Sequence, residues 1–107
     1  MDETRYHMIA DATLLHCFDR LNGAFESGAL DDLELQHGIL TLRSVGGRTY
    51  LLSKHAPSQQ LWYASPTLGG LHFRFDETAG DWHLPDGRPL YDILHTELRG
   101  ENIAVAL

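Results

Sequence analysis

The stretch from Gln60 to Phe73 constrains this chain more than any other. Leu61–Ala64 and Leu71–Phe75 are short apolar runs on either side of the turn-rich Pro66-Thr67-Leu68-Gly69-Gly70. Successive side chains of an extended strand point to opposite faces. Leu61 and Tyr63 therefore share one face, and Trp62 and Ala64 the other. In the second run Leu71, Phe73 and Phe75 alternate with His72 and Arg74, giving one apolar and one polar face. The pattern is that of an antiparallel sheet covered on one side and wet on the other, with the second run at its centre. Whichever face of the first run meets the core, a large aromatic is left on the other. With Leu61 and Tyr63 inward, Trp62 sits on the wet side beside Gln60, near His72 or Arg74. An aromatic among amide and cationic groups is an interface composition, so Trp62, Gln60, His72 and Arg74 are candidate partner-binding residues, with Trp62 as anchor. The competing reading is a Trp62 shielded by its neighbours, with no partner to meet.

The rest of the chain supplies what such a sheet needs. From Glu3 to about Ala24 the residues Tyr6, Ile9, Ala10, Thr13, Cys17 and Leu21 recur at helical spacing, which predicts an amphipathic helix. Asn22-Gly23 and Ser27-Gly28 are its stop signals. Asp11 and Asp19 project from the opposite side, interrupted by outward Met8 and Leu15. Asp31–His37 alternates Leu33 and Leu35 with Asp32, Glu34 and Gln36, a strand with an acidic outer face. A tight His37-Gly38 turn leads to Ile39–Ser44, where Leu42 and either Ile39 or Leu40 point inward. Gly46-Gly47 makes a hairpin into Arg48–Ser53. Lys54–Gln59 reads as a loop, Thr78–Asp81 and Asp86–Pro89 as turns, and Trp82-His83-Leu84 as a short last strand. Leu90, Ile93, Leu94 and Leu98 mark a second helix, Leu90–Leu98, stopped at Gly100, and the tail carries Ile103, Val105 and Leu107 over a gap between the helices. The prediction is an α+β two-layer sandwich over residues 1–107, with two terminal helices packed on one face of a five- to six-stranded antiparallel sheet.

Charge narrows the functions. Of a net charge of −7, the first 34 residues account for nearly all, with eight acidic residues against Arg5 and Arg20. Such a field repels nucleic acid and attracts cations or a basic protein surface. The single Cys17, in the middle of the helical stripe, excludes an internal disulfide and suits a reducing cytoplasm. No apolar run approaches a membrane span, and no CxxC pair offers a zinc site. Surface carboxylates are hard oxygen ligands for Fe²⁺, Fe³⁺, Mn²⁺ or Ca²⁺; without converging His or Cys, the binding is open and weak. Asp19, Asp31, Asp32 and Glu34 are the candidates, and His7 with Asp11, four apart on the helix, makes a possible mixed pocket. An exposed, unliganded His7 is the competing reading. Ser53, His55 and the aspartates show no triad spacing, so no enzyme is expected.

Helix, acidic strand, Gly-Gly hairpin, then S-K-H-A-P-S-Q-Q-L-W-Y-A-S-P…G-G-L-H-F and D-W…D-G…L-Y-D-I-L together resemble the frataxin family, in its bacterial branch, over almost the whole chain. Pro57, Gln60, Trp62, Gly69-Gly70, His72-Phe73 and Trp82 carry the most specific part. The resemblance implies a helix–sheet–helix fold and weak binding of iron at an acidic ridge, with other divalent cations as substitutes. It implies a regulatory or iron-supplying role in iron–sulfur cluster assembly, and contact with the cysteine desulfurase and its scaffold protein. A monomer that oligomerises with metal is the implied state. Where the family has consecutive acids, this chain has Asn22-Gly23-Ala24 and Ser27-Gly28-Ala29, leaving a thinner ridge of Asp19, Glu26, Asp31, Asp32 and Glu34. Ser53 and His55 stand where the family has Asn and Gln. The alternative to a metal-binding regulator is an adaptor that binds a basic partner by charge alone.

Overall fold

A computed structural model describes residues 1–107. The chain opens with α1, Glu3–Glu26, whose N-terminal amides are capped by Asp2: its side chain accepts the Arg5 N–H at 2.7 Å. The helix buries Tyr6, Ala10, Thr13, Leu14, Cys17, Leu21 and Ala24. Leu14 thus joins the expected stripe, and Ile9 is only partly buried at its margin. Asn22-Gly23 does not end α1. The stop is at Gly28, in the left-handed region at φ +85°, with Ala29 N–H donating to the Ala24 carbonyl at 2.8 Å and Gly28 N–H to Phe25 at 3.1 Å. This Schellman closure satisfies carbonyls that the last turn leaves unpaired.

Six antiparallel strands follow: β1 Leu30–Gln36, β2 Ile39–Ser44, β3 Thr49–His55, β4 Gln60–Ser65, β5 Gly69–Asp76 and β6 Asp81–His83. Their order across the sheet is their order in the chain. The central strands are therefore β3 and β4. The run expected at the centre, β5, lies one place from the edge and pairs outward with the three-residue β6. Leu40, rather than Ile39, is the inward residue of β2. In β1 the register shifts between Leu30 and Asp32, so that Leu30 and Leu33 are both buried although three apart. The first two residues of the segment expected as a loop, Lys54 and His55, are strand. β3 runs on through His55, and only Ala56–Ser58 forms a 3₁₀ turn, closed by Gln59 at φ +53°.

The last helix, α2 Leu90–Gly100, buries Leu90, Ile93, Leu94 and Leu98. It ends at Gly100, as expected, and is closed two residues on by Asn102, at φ +61°, where Ile103 N–H reaches the Leu98 carbonyl at 2.9 Å. Both helices cover one face of the sheet, and their apolar stripes join the inward strand residues in one core of 22 buried residues. Ile103 enters that core; Val105 and Leu107 pack on its margin. Inside it, Trp82 Nε1 donates to Thr13 Oγ1 at 3.0 Å, and Thr13 donates on to the Ile9 carbonyl at 2.9 Å. Glu101 holds the end of α2 to the β2–β3 hairpin. Its carboxylate accepts Arg48 Nε at 2.7 Å and Nη2 at 2.6 Å, and the Tyr50 hydroxyl.

Candidate functional site

Two surfaces carry the residues expected to act. The first is acidic. Asp11, Asp19 and Glu26 stand on the exposed side of α1, with Asp31 and Glu34 exposed and Asp32 half-buried on β1. Three of these carboxylates are already engaged. Asp11 Oδ1 pairs with Lys54 Nζ at 2.7 Å, Glu26 Oε1 accepts Asn22 Nδ2 at 3.0 Å, and Asp32 Oδ1 accepts the Leu33 N–H at 3.0 Å. His7 lies 3.8 Å from Glu3 Oε1, one turn back along the helix from Asp11. Asp19, Asp31 and Glu34 make no side-chain hydrogen bond or ion pair. No three His, Cys, Asp or Glu side chains converge as a preformed metal group. What the ridge offers is hard oxygen donors in water, suited to loose cation association and not to a cage.

The second surface is the uncovered face of the sheet. Leu61 and Tyr63 are 0% and 2% exposed under the helices, so Trp62 between them points to the uncovered side. Cross-strand pairing places Ser53 and His72 on either side of it, and His55 and Arg74 on either side of Gln60. Trp62 is not a bare projection. Its ring is stacked between His55, at 3.7 Å between centroids and 10° between planes, and His72, at 4.2 Å and 8°. It is outward, as alternation requires, and also shielded on both ring faces. Its Nε1 donates to Gln60 Oε1 at 2.8 Å. Arg74 is exposed and forms no ion pair, and with Gln60, His72, Asp76 and His83 it lines a shallow groove of ≈ 650 Å³.

At the far side of that groove His83 lies between two carboxylates, with Nδ1 3.4 Å from Asp76 Oδ2 and Nε2 against Asp81 Oδ1. The Ala79 and Thr78 amides, with His83, hold the Asp76 carboxyl below the usual carboxylate range. Sequence reading passed over His55 and Ser58 as site residues. The signal for them is the pairing of His55 with Gln60, which a loop over Lys54–Gln59 does not contain.

The chain matches the family model for a frataxin-like domain over residues 1–102. It is 39% identical, over 96% of its length and 95% of the relative's, to the iron-sulfur cluster assembly protein CyaY of Pseudomonas paraeruginosa. Among solved structures it resembles the trimeric frataxin of the yeast Saccharomyces cerevisiae complexed with ferrous iron, at a TM-score of 0.76 and 35% identity, covering 87% of this chain and 84% of that one. The frataxin of Psychromonas ingrahamii gives the same TM-score at 17% identity over 98% and 96% of the two chains, a likeness of fold alone.

Proposed function

This chain belongs to the frataxin-like family, and from that premise we propose that it serves iron–sulfur cluster assembly as an iron-binding regulator of a cysteine desulfurase and its scaffold protein. It acts without catalysis of its own. Iron, ferrous or ferric, is weakly held cargo at Asp19, Glu26, Asp31, Asp32 and Glu34, with His7 and Asp11 at the margin; other divalent cations substitute. Asp19, Asp31 and Glu34 lack competing partners, which supports their place among the ligands. The partner surface is the uncovered sheet face, anchored by Trp62 and flanked by Gln60, His72 and Arg74. The single observation carrying the reading is an outward Trp62 on a strand whose neighbours Leu61 and Tyr63 fill the core. A half-buried indole outside the core, beside amide and cationic groups, suits an interface anchor.

The test is a pull-down with the desulfurase and scaffold, followed by the cluster-assembly rate with and without this protein. Trp62→Ala is expected to leave the fold intact and to weaken partner binding by roughly 2 kcal/mol or more. A variant that unfolds, or binds as before, removes the anchor role. Replacing Asp19, Asp31, Asp32 and Glu34 by Asn or Gln is expected to abolish paramagnetic line broadening by Fe²⁺ at the end of α1 and the start of β1. Broadening that survives moves the site elsewhere, His7 and Asp11 first. A second reading, the purely electrostatic adaptor, is favoured by the lack of any converging ligand group. Under it the broadening is absent even in the unaltered chain, while partner binding remains.

A further inference from the structure

Strand geometry alone does not hold Trp62. His55 covers one face of the indole and His72 the other, both nearly parallel to it. The edge of the ring is fixed as well. Gln60 Oε1 accepts two protons, from Trp62 Nε1 at 2.8 Å and from Ser58 Oγ at 2.9 Å. Because the Ser58 proton is committed there, the 2.6 Å contact between Ser58 Oγ and His55 Nδ1 is completed by a proton on Nδ1. The approach of Ser58 Oγ to the His55 carbonyl, 3.4 Å, is too long to compete. The hydrogen bonds therefore run from His55 to Ser58 to Gln60, where they meet the one from Trp62. Neutral His55 keeps its free lone pair on Nε2, so it can gain a proton without breaking that chain. Gln59, left-handed at φ +53°, is the bend that brings Ser58 back over Gln60.

The charged groups facing this stack are few. Lys54 turns away to Asp11 on the covered side. The Ala56–Ser58 turn and β4 contribute none. On β5, Arg74 lies across from Gln60, and Asp76 two residues further along that strand, beside Asp81 and His83 of β6; Asp86 and Arg88, paired with each other, line a hollow with His72. A cation over an indole face within about 6 Å is attracted to it. Imidazole is the side chain whose charge ordinarily changes between about pH 5 and 8.

We propose that His55 and His72 are positioning residues for Trp62, forming with Ser58 and Gln60 a proton-sensitive clamp that fixes the indole in one rotamer for an incoming protein surface. Either imidazole, on gaining a proton, grips the ring more tightly. The inference rests on Trp62 being the partner contact.

The test uses the full chain labelled with ¹⁵N. It has two tryptophans, hence two indole N–H signals, and Trp62→Phe identifies the relevant one. The Trp62 signal is expected to move with pH across about 5 to 8, while that of Trp82, buried and bonded to Thr13, stays in place and reports an intact fold. His55→Gln and His72→Gln should each remove part of the movement, and the double variant all of it. His72 is exposed, so its variant remains informative should the other fail to fold. A Trp62 signal indifferent to pH, or one that titrates unchanged in both variants, overturns the clamp. Binding to the desulfurase–scaffold pair is then compared at about pH 6 and about pH 8. The double variant should bind about two- to tenfold more weakly and lose its pH dependence, the cost of an anchor no longer pre-ordered. Unchanged binding in the double variant, where Trp62→Ala does weaken it, overturns the positioning role. If Trp62→Ala itself changes nothing while the indole still titrates, the partner reading fails and the clamp stands.

Discussion

Thr13 shows how a single residue is chosen by more than its period. It lies on the apolar stripe of α1, where Val would seem equivalent, yet its hydroxyl is the acceptor for the buried Trp82 indole. Thr13→Val leaves that N–H without a partner and should cost about 1–3 kcal/mol, measured by urea denaturation. A loss of a few tenths would mean that the indole finds another acceptor. Periodicity could place Thr13 on the buried face but could not say what its oxygen touches, because that partner is 69 residues away. Trp62 divides in the same manner. Its outward direction follows from Leu61 and Tyr63 alone. The two imidazoles on its ring follow from cross-strand register, which a one-dimensional reading does not contain.

At the scale of elements, helices and strands are legible from their spacing, and their ends only in part. Gly23 and Gly28 both look like stops of α1, yet Gly23 lies inside the helix and only Gly28 closes it; α2 does end at Gly100, and the left-handed turn that closes it falls two residues on, at Asn102. A terminus depends on which residue is free to turn left-handed while the carbonyls behind it find partners, and composition marks only candidates. Two glycines five apart therefore respond oppositely to alanine. Gly23→Ala, in helical backbone with nothing within 4 Å of the new methyl, should stabilise by up to about 1 kcal/mol. Gly28→Ala, equally uncrowded but at φ +85°, should destabilise by about 1–2 kcal/mol. Thermal melts of the two variants check the pair of signs. The β1 register shift escaped notice for a similar reason, since strict alternation cannot express Leu30 and Leu33 on one side.

For the whole molecule, charge separates stabilising from destabilising contacts. Hydrogen bonds from Arg48, then from Tyr50, hold the Glu101 carboxyl down at about 2 from an ordinary 4.5. A depressed carboxylate contributes its stability above the unfolded value and loses it as pH falls through the folded one. Acid titration should thus show a loss between about pH 4.5 and 2 that Glu101→Gln removes. That variant should cost about 1.5–3 kcal/mol at neutral pH, toward the lower figure because Arg48 is half exposed. The acids of α1 and β1 act in the other direction: crowded on one side, they repel. Millimolar Ca²⁺ or added NaCl should raise the melting temperature by relieving that repulsion; an unmoved melt would show the ridge too sparse to matter. The same carboxylates have a consequence beyond the folded monomer. β1 is the outermost strand, and along one side its backbone amides and carbonyls have no neighbouring strand. Such a rim is a template on which a further chain can add. Asp31, Asp32 and Glu34 insulate it, since a copy of this chain arriving there would bring like charge against like. A cation bound among them is expected to remove that insulation, so that self-association rises with metal loading; sedimentation during a metal titration checks this, and a species that stays monomeric throughout overturns it.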